Sequence, residues 1–299
     1  MFDAKQLEAF VTVLEQGNLV AAAKSLHLTV AAISLRLKAL EETFGQRLWI
    51  RGKIIKATPA GQALMAHIKQ LRILENDLLK QIQIGHLAIG QDQWQTLSIA
   101  CNTDSLANWL LPGVLPLLKR HSILLDIKID DQNHTHDALK NGDVIGCIST
   151  HDIAMRGCIA EPLGVMMYQL VAHSSIANNC LDANGQLKIH TLLQTPAVIF
   201  NHKDALTDLF LEQNFGINHA NYPKHIIPSI DAFEMAIELG MGWAMQPQIL
   251  ENSTHKKNDT PLKNTEYLAN NAPVEVPLYW HHWEKEGLTA QRLTFAIQQ

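Results

Sequence analysis

Two groups of residues in this chain have types and spacings suited to chemistry, and they suit different partners. The first lies between Lys24 and Lys56, where seven Lys/Arg and two acidic residues give a local net charge of +5. A cationic run of this kind supplies the salt-dependent attraction that holds phosphates. Within it, helical spacing puts Ile33, Leu37 and Leu40 on one face and Ala31, Ser34, Leu35 and Lys38 on the other. Arg36 and Lys38, with Arg51 and Lys53 beyond the helix, are the candidates for such phosphate contacts. Thr29 and Ser34 offer polar contacts, and Ala31, Ala32 and Leu35 can touch only apolar features such as thymine methyl groups. The alternative reading is a solvated helix of a helical bundle.

The second group sits where apolar strand-like runs end, the position at which open α/β sheets hold ligands. Asn102, Thr103, Asp104 and Ser105 follow "TLSIAC"; Thr150, His151 and Asp152 follow "VIGCIS"; Asn201, His202 and Asp204 follow "PAVIF". Ser229 and Asp231 open a later helix. Free N–H groups and the dipole at a helix start suit a carboxylate, a role that fits Ser105. Asp104 suits an ammonium group instead. Against this stands the plainer reading that Thr103 or Asp104 caps a helix, and that Asp152, Asp204 and Asp231 are caps or solvated charges.

The elements around these groups follow from periodicity. Leu7, Phe10, Val11 and Leu14 mark an amphipathic helix that Gly17 ends; Asn18 caps a second, and Thr29 a third that Gly45 stops. Leu48, Ile50 and Ile54-Ile55 fit two short strands around Gly52-Lys53, a wing. Thr58-Pro59 starts a long helix, with an apolar stripe through Leu64, Ile68, Leu71, Leu74, Leu78 and Ile82. Such a stripe wants a partner helix, which predicts dimerisation. Gly85 to Gly90 reads as a hinge. From Gln95 onward strands and helices alternate, which predicts parallel sheets with crossover helices. Pro112 is placed to kink one of those helices, and Glu251 to Pro273 reads as a loop region.

The bulk properties agree with two unlike units. Residues 1–84 hold 11 Lys/Arg and 7 Asp/Glu, a net of +4, and the remainder holds 13 and 22, a net of −9. Cys101, Cys147, Cys158 and Cys180 lack CxxC or zinc spacing and read as free thiols. No signal peptide and no run of about 18 apolar residues is found. The chain shows no GxSxG, P-loop or GxGxxG, and no nucleophile–base set, which argues against an enzyme. A solute-binding protein would carry a signal peptide and no basic module. The pairs His134/His136 and His281/His282 do not face together on a helix. They read as surface or strand residues, so no metal is expected; Trp109 and Trp280 read as core.

Residues 3–84 resemble the N-terminal module of LysR-type transcriptional regulators. The match lies in "NLVAAAKSLHLTVAAISLRLKALEETFGQRLWIR" and the following "TPAG", at Ala22, Ala23, Leu26, Ser34, Leu37, Leu40, Glu41, Gly45, Leu48, Arg51, Thr58 and Gly61. The rest is similar to the family's effector domain, so the resemblance covers the full length. Within the family, "ISLRLKALEETFGQ", "NTDSLANWLLP", "QNFG" and "LYWHHW" resemble the arginine and lysine export regulators, the ArgP/LysG subgroup.

The resemblance implies an α+β multi-domain protein: a winged helix-turn-helix over residues 1–58, a dimerisation helix and hinge over 59–90, and a periplasmic-binding-protein-like effector domain over 91–299. Subdomain I would hold about 91–163 and 274–299, and subdomain II about 164–273, with crossings near Leu163-Gly164 and Val274 and a ligand cleft between. It implies binding to double-stranded promoter DNA, a lysine- or arginine-like effector, contact with RNA polymerase, a homodimer or homotetramer, and a cytoplasmic location away from membranes, with no cofactor. A cationic amino acid would need one anion-binding corner and two acidic positions. The chain departs from the family at Val30, where Gln is common, and at Leu35, where a polar residue usually follows the serine. Direct hydrogen-bond readout of bases should therefore be thin.

Overall fold

The structure, a computed structural model, describes residues 2–52, 54–83, 94–129, 132–248, 264–268 and 272–299. Each of the first three helices begins on a side-chain cap. Asp3 accepts from the Gln6 N–H before α1 (Ala4–Gln16), Asn18 from Ala21 before α2 (Leu19–Ser25), and Thr29 from Ala32 before α3 (Val30–Phe44). Gly17 and Gly45 close α1 and α3 in the left-handed region. Phe10, Val13, Ala22, Ile33, Leu37 and Leu40 form one buried core, in which Ala22 lets α2 approach its neighbours.

β1 (Trp49–Ile50) and β2 (Lys56–Ala57) pair antiparallel as a short wing. The second strand begins later than the Ile54-Ile55 run suggested. Ile55 turns inward to the core, and its N–H donates to the Gly17 carbonyl at 2.8 Å, so pairing starts at Lys56. α4 (Pro59–Gln83) starts on Thr58, whose hydroxyl accepts from the Gly61 N–H and donates to the Arg47 carbonyl. Gly61 is required here, because a Cβ would land inside the Leu48 carbonyl. Leu64 and Ile68 are buried, while Leu74 and Leu78 stay 44% and 54% exposed. The Ile82 side chain and the Gly85–Gly90 stretch lie outside the described residues.

A single nine-stranded sheet carries the rest of the chain. Its strands are β3 (Gln95–Cys101), β4 (Ile123–Ile129), β5 (Gly146–Ser149), β6 (Cys158–His173), β7 (Ala197–Ile199), β8 (Lys224–Ile226), β9 (Trp243–Pro247), β10 (Thr265–Tyr267) and β11 (Val274–Trp283). The order is β4-β3-β5-β11-β6-β9-β7-β8, with β10 added to β6. Helices α5 (Thr103–Ser105), α6 (Leu111–His121), α7 (Gln132–Lys140), α8 (Ser174–Cys180), α9 (Ile189–Gln194), α10 (Leu206–Phe215), α11 (Ile230–Glu238) and α12 (Leu288–Ile297) complete it.

The expected parallel pairing holds only towards the two ends. β3 is parallel to β4 and β5, and β7 to β8 and β9, but β11 runs antiparallel to β5 and β6, and β6 to β9. The reason is the route of the chain. β6 leaves a first core, built on Leu97, Ile99, Leu110 and Trp280, for a second built on Leu170, Phe210 and Trp243, and β11 returns. Two strands that make opposite journeys between the same cores must be antiparallel. A register shift opposite Pro162-Leu163-Gly164 marks the passage, with Gly164 at φ 137°.

Other differences are local. The helix after β3 is wound as a π-helical turn over Leu106–Leu110, just before Pro112, which has no N–H for the Asn108 carbonyl one turn back. The polar stretch expected as a loop contributes β10, which pairs with Val171–His173 of β6; most of the remainder of Glu251 to Pro273 lies outside the described residues. Cys101, Cys147 and Cys180 are buried free thiols and Cys158 is half-buried. Burial pushes the Cys101 and Cys158 thiols up to about 11.

Among the described residues, side-chain polar contacts join α4 to the sheet unit at two places. Lys69 meets Asp143 at 2.5 Å. Deeper, the buried Asp77 carboxylate accepts from the Thr289 N–H at 3.2 Å and from its hydroxyl at 2.5 Å, at the first turn of α12. Gly287 makes room, since a Cβ there would collide with that carboxylate.

Candidate functional site

The outer face of α3 is set by the core beneath it. With Ile33, Leu37 and Leu40 buried, Ala31, Ser34, Leu35 and Lys38 face solvent, Arg36 is half-buried, and Ala32 is half-buried at the start of the helix. Leu35 is 69% exposed. Thr29 is exposed, and its hydroxyl oxygen is occupied by the cap to Ala32. Lys38 pairs loosely with Glu42 at 3.8 Å, both well exposed, a contact that leaves the ammonium free to move to a phosphate. Arg51 is exposed on the wing; Lys53 lies outside the described residues. His27, at φ 54°, makes the turn that sets α2 and α3 at 104°. The outcome is an apolar and cationic helix face beside a cationic wing.

The strand-end residues divide into a group that meets and a group that does not. Asn102 is the cap, accepting from the Ser105 N–H at 3.2 Å, which leaves Asp104 free of that duty. Asp104 instead accepts from the Tyr168 hydroxyl at 2.6 Å, between the helix after β3 and the middle of β6. Met166 lies one alternation away on the same strand, its sulfur 3.0 Å from that hydroxyl. Burial holds the Asp104 carboxyl above the usual carboxylate range; the Tyr168 hydrogen bond opposes this and the charge of Asp204 adds to it. Asp204 is fastened by the Phe200 and Leu206 N–H groups at 3.2 and 3.1 Å; burial first, then Asp104, and last the charge of Asp204 raise the Tyr168 phenol. Ser105 is fully buried, with a hydroxyl that has no partner. Thr103 is half-buried beside Asp104. Asp104 is thus a partly desolvated carboxylate that accepts from a phenol and feels the charge of Asp204, with a buried, unsatisfied hydroxyl on the next residue, an arrangement that favours a cation.

The remaining positions are drawn elsewhere. Asn201 turns its amide oxygen back to the Lys203 N–H at 2.7 Å, and His202 is exposed. Ser229 is exposed and makes no cap bond to α11; Asp231 is exposed in that helix's first turn, where its charge raises Glu234 behind burial. Thr150 is half-buried, and Asp152 is exposed.

His151 belongs to a different cluster. Its ring lies 5.2 Å from His136, which lies 4.4 Å from His281, and the His281 Nε2–H donates to the His151 carbonyl at 2.7 Å. Burial first, then the neighbouring imidazoles, lower His136; burial, with the charges of His151 and His282, lowers His281. His281 and His282 are thus buried strand residues and not surface ones, and adjacency sends them to opposite faces of β11. His282 stands between Glu161 and Glu286, which outweigh burial and raise it. His134 has its side chain outside the described ones. Among the described residues no three His, Cys, Asp or Glu side chains are arranged to hold a metal ion. Trp280 is buried and donates to Thr294 at 3.0 Å; Trp109 packs at the edge of the same core.

Sequence reasoning missed Tyr168 and gave Asp204 no special weight. The one available signal was a tyrosine in the alternating run "VMMYQL", where its face-mates Met166 and Leu170 are apolar.

Comparison with known proteins fits this geometry. Residues 4–62 match the family described as "Bacterial regulatory helix-turn-helix protein, lysR family". The chain is 36% identical over 292 residues to the HTH-type transcriptional regulator ArgP of Aeromonas salmonicida, covering 97% of this chain and 93% of that one. It is 34% identical over 295 residues to ArgP of Proteus mirabilis, covering 99% and 94%. Among solved structures, ArgP from Mycobacterium tuberculosis superposes with a TM-score of 0.85 at 30% identity, covering 100% of this chain and 97% of that one. Full-length LysG from Corynebacterium glutamicum with bound effector Arg gives 0.81 at 26%, covering 99% and 97%. These relatives are transcriptional regulators and not enzymes. With relatives this similar along nearly its whole length, the chain belongs to the LysR family of helix-turn-helix transcriptional regulators.

Proposed function

We propose that this regulator reads double-stranded promoter DNA with α3 and the wing, and responds to a basic amino acid held beside Asp104. The observation that carries the effector reading is the Asp104–Tyr168 contact, at a carboxyl that also feels the charge of Asp204. A guanidinium or ammonium there would offset the desolvation that the carboxyl suffers alone. The buried, unpartnered Ser105 hydroxyl is the candidate for the ligand's carboxylate. Arginine in the LysG neighbour supports the same ligand class.

On this reading residues 1–58 bind DNA, 59–90 join and dimerise, and 91–299 bind effector, with subdomains near 91–163 plus 274–299 and 164–273. The exposed Leu74 and Leu78 support pairing of α4 with a second copy, which sets two α3 helices into successive major grooves. The ligand shifts the population of DNA-bound geometries of a dimer or tetramer and so alters contact with RNA polymerase in the cytoplasm. Calorimetry on the full-length protein tests the effector. Arginine or lysine should bind, and Asp104→Asn should weaken binding about tenfold or more, as expected for a hydrogen bond to a charged group. Binding by neither, or undiminished binding in the variant, would sink this assignment.

A further inference from the structure

We infer that α2 and α3 recognise thymine methyl groups, with Leu35 as the principal reader and Val20 and Val30 flanking it. The inference rests on the DNA-binding reading and specifies its chemistry. Leu35 and Val20 are each 69% exposed and Val30 is 38% exposed, and Ser34 and Lys38 of α3 also point outward. Leu35 makes no use of this exposure inside the chain, because Ile33, Leu37 and Leu40 already fill the core side of the helix. Val20 adds a second exposed apolar side chain from α2, which meets α3 at 104°. The surrounding residues run to a net charge of +5 between Lys24 and Lys56, so the surface is complementary to a polyanion and not to an apolar protein groove. On a base-pair edge in the major groove, the apolar feature is the thymine C5 methyl. A leucine that loses its water there gains what burying a carbon gains, about fourfold in affinity per methyl.

Val20 matters to the argument because it lies outside the helix that the sequence pattern singled out. An apolar surface that spans two helices can cover methyls on adjacent base pairs, whereas a lone Leu35 would touch one. Polar readout from the same face is confined to Ser34 and to Thr29, whose oxygen already accepts from Ala32. Lys38 is placed for phosphate.

The experiment selects a duplex from a random pool with the full-length protein, then compares it with the same duplex carrying deoxyuridine for thymidine. Affinity should fall about fourfold for each contacted methyl. Leu35→Ala should lose about fourfold of the thymidine preference, the Val20→Ala/Val30→Ala/Leu35→Ala variant should bind the two duplexes alike, and Leu35→Met, apolar and similar in size, should keep the full preference. The triple variant separates methyl contacts from a change of DNA shape, which would persist in it. Equal affinity of the unmodified protein for both duplexes overturns the methyl readout, as does a selected site without thymines in its half-sites. Failure to enrich any duplex, with no salt-sensitive binding, overturns the DNA-binding reading itself.

Discussion

The face of α3 and the cluster around Asp104 differ in the distance along the chain over which they are assembled. Every side chain on the α3 face comes from one helix, oriented by a core of residues three and four positions away. The cluster joins Asp104 to a tyrosine 64 residues later, and to Asp204 a further 36 residues on. A surface made by one element inherits its geometry from local periodicity. A site made by distant strands inherits it from topology, as the Asp104 carboxylate does in finding its partner on β6. The two regions should therefore fail differently when perturbed.

The sharpest way to break the comparison is Leu37→Ala. It empties a fully buried position and should destabilise the N-terminal module by about 2–5 kcal/mol, seen as an earlier melting transition. Effector affinity should hold in the part that stays folded. Equal loss of both functions at temperatures below that transition would show that the regions are not separable. Tyr168→Phe acts on the other side. It deletes the hydroxyl that Asp104 accepts from and should lower arginine or lysine affinity roughly tenfold by calorimetry. The salt dependence of DNA binding should not move.

Lys38→Ala sharpens the contrast from the DNA side. Its affinity should drop similarly for unrelated sequences, and the log–log salt slope should shrink by about 0.9. A loss confined to one sequence would make Lys38 a base reader. The smallest expected effect concerns pH. His136 and His281 have folded pKa values below their ordinary 6.5, so both bind fewer protons folded than unfolded. Their contribution to stability is whole above 6.5 and is lost as pH falls through it towards the lowered values. His282 has the opposite sign: its contribution is whole below 6.5 and is lost as pH rises through its raised value. His136→Leu should therefore flatten the fall in Tm between pH 7 and 5.5, and parallel Tm curves would remove the cluster from the acid response.

The sequence carried the local features well. Asn18, Thr29 and Thr58 mark helix starts that the structure places where side-chain caps were expected, and the Ile33-Leu37-Leu40 stripe oriented α3 correctly. The wing was legible except for the inward turn of Ile55, which a run of two isoleucines cannot specify. Strand polarity in the middle of the sheet was not legible, because a β/α alternation does not record that β6 and β11 travel in opposite directions. The strand ends were legible, but which of their residues come together was not. Nothing in the residues separated Asp104, which Tyr168 engages, from Asp152 and Asp231, which stay exposed, since that distinction depends on which strand passes overhead. His151 was misplaced for the same reason: it stands at a strand end, but α7 and β11 bring His136 and His281 to it.

The Asp77–Thr289 contact bears on where this protein divides. α12 is the last helix of the sheet unit, yet the group that satisfies its first turn is a carboxylate on α4, contributed from 212 residues earlier. The effector-binding portion is thus not autonomous in the thermodynamic sense. A fragment beginning at Gln95 would leave the Thr289 N–H to water, with only the Gln95 Oε1, 3.2 Å away, for its hydroxyl, and would fray α12 from its start. Ligand affinities taken on such a fragment describe a molecule with an uncapped terminal helix. The boundary that matters for its energetics lies inside α4, upstream of Asp77, and not at the end of that helix.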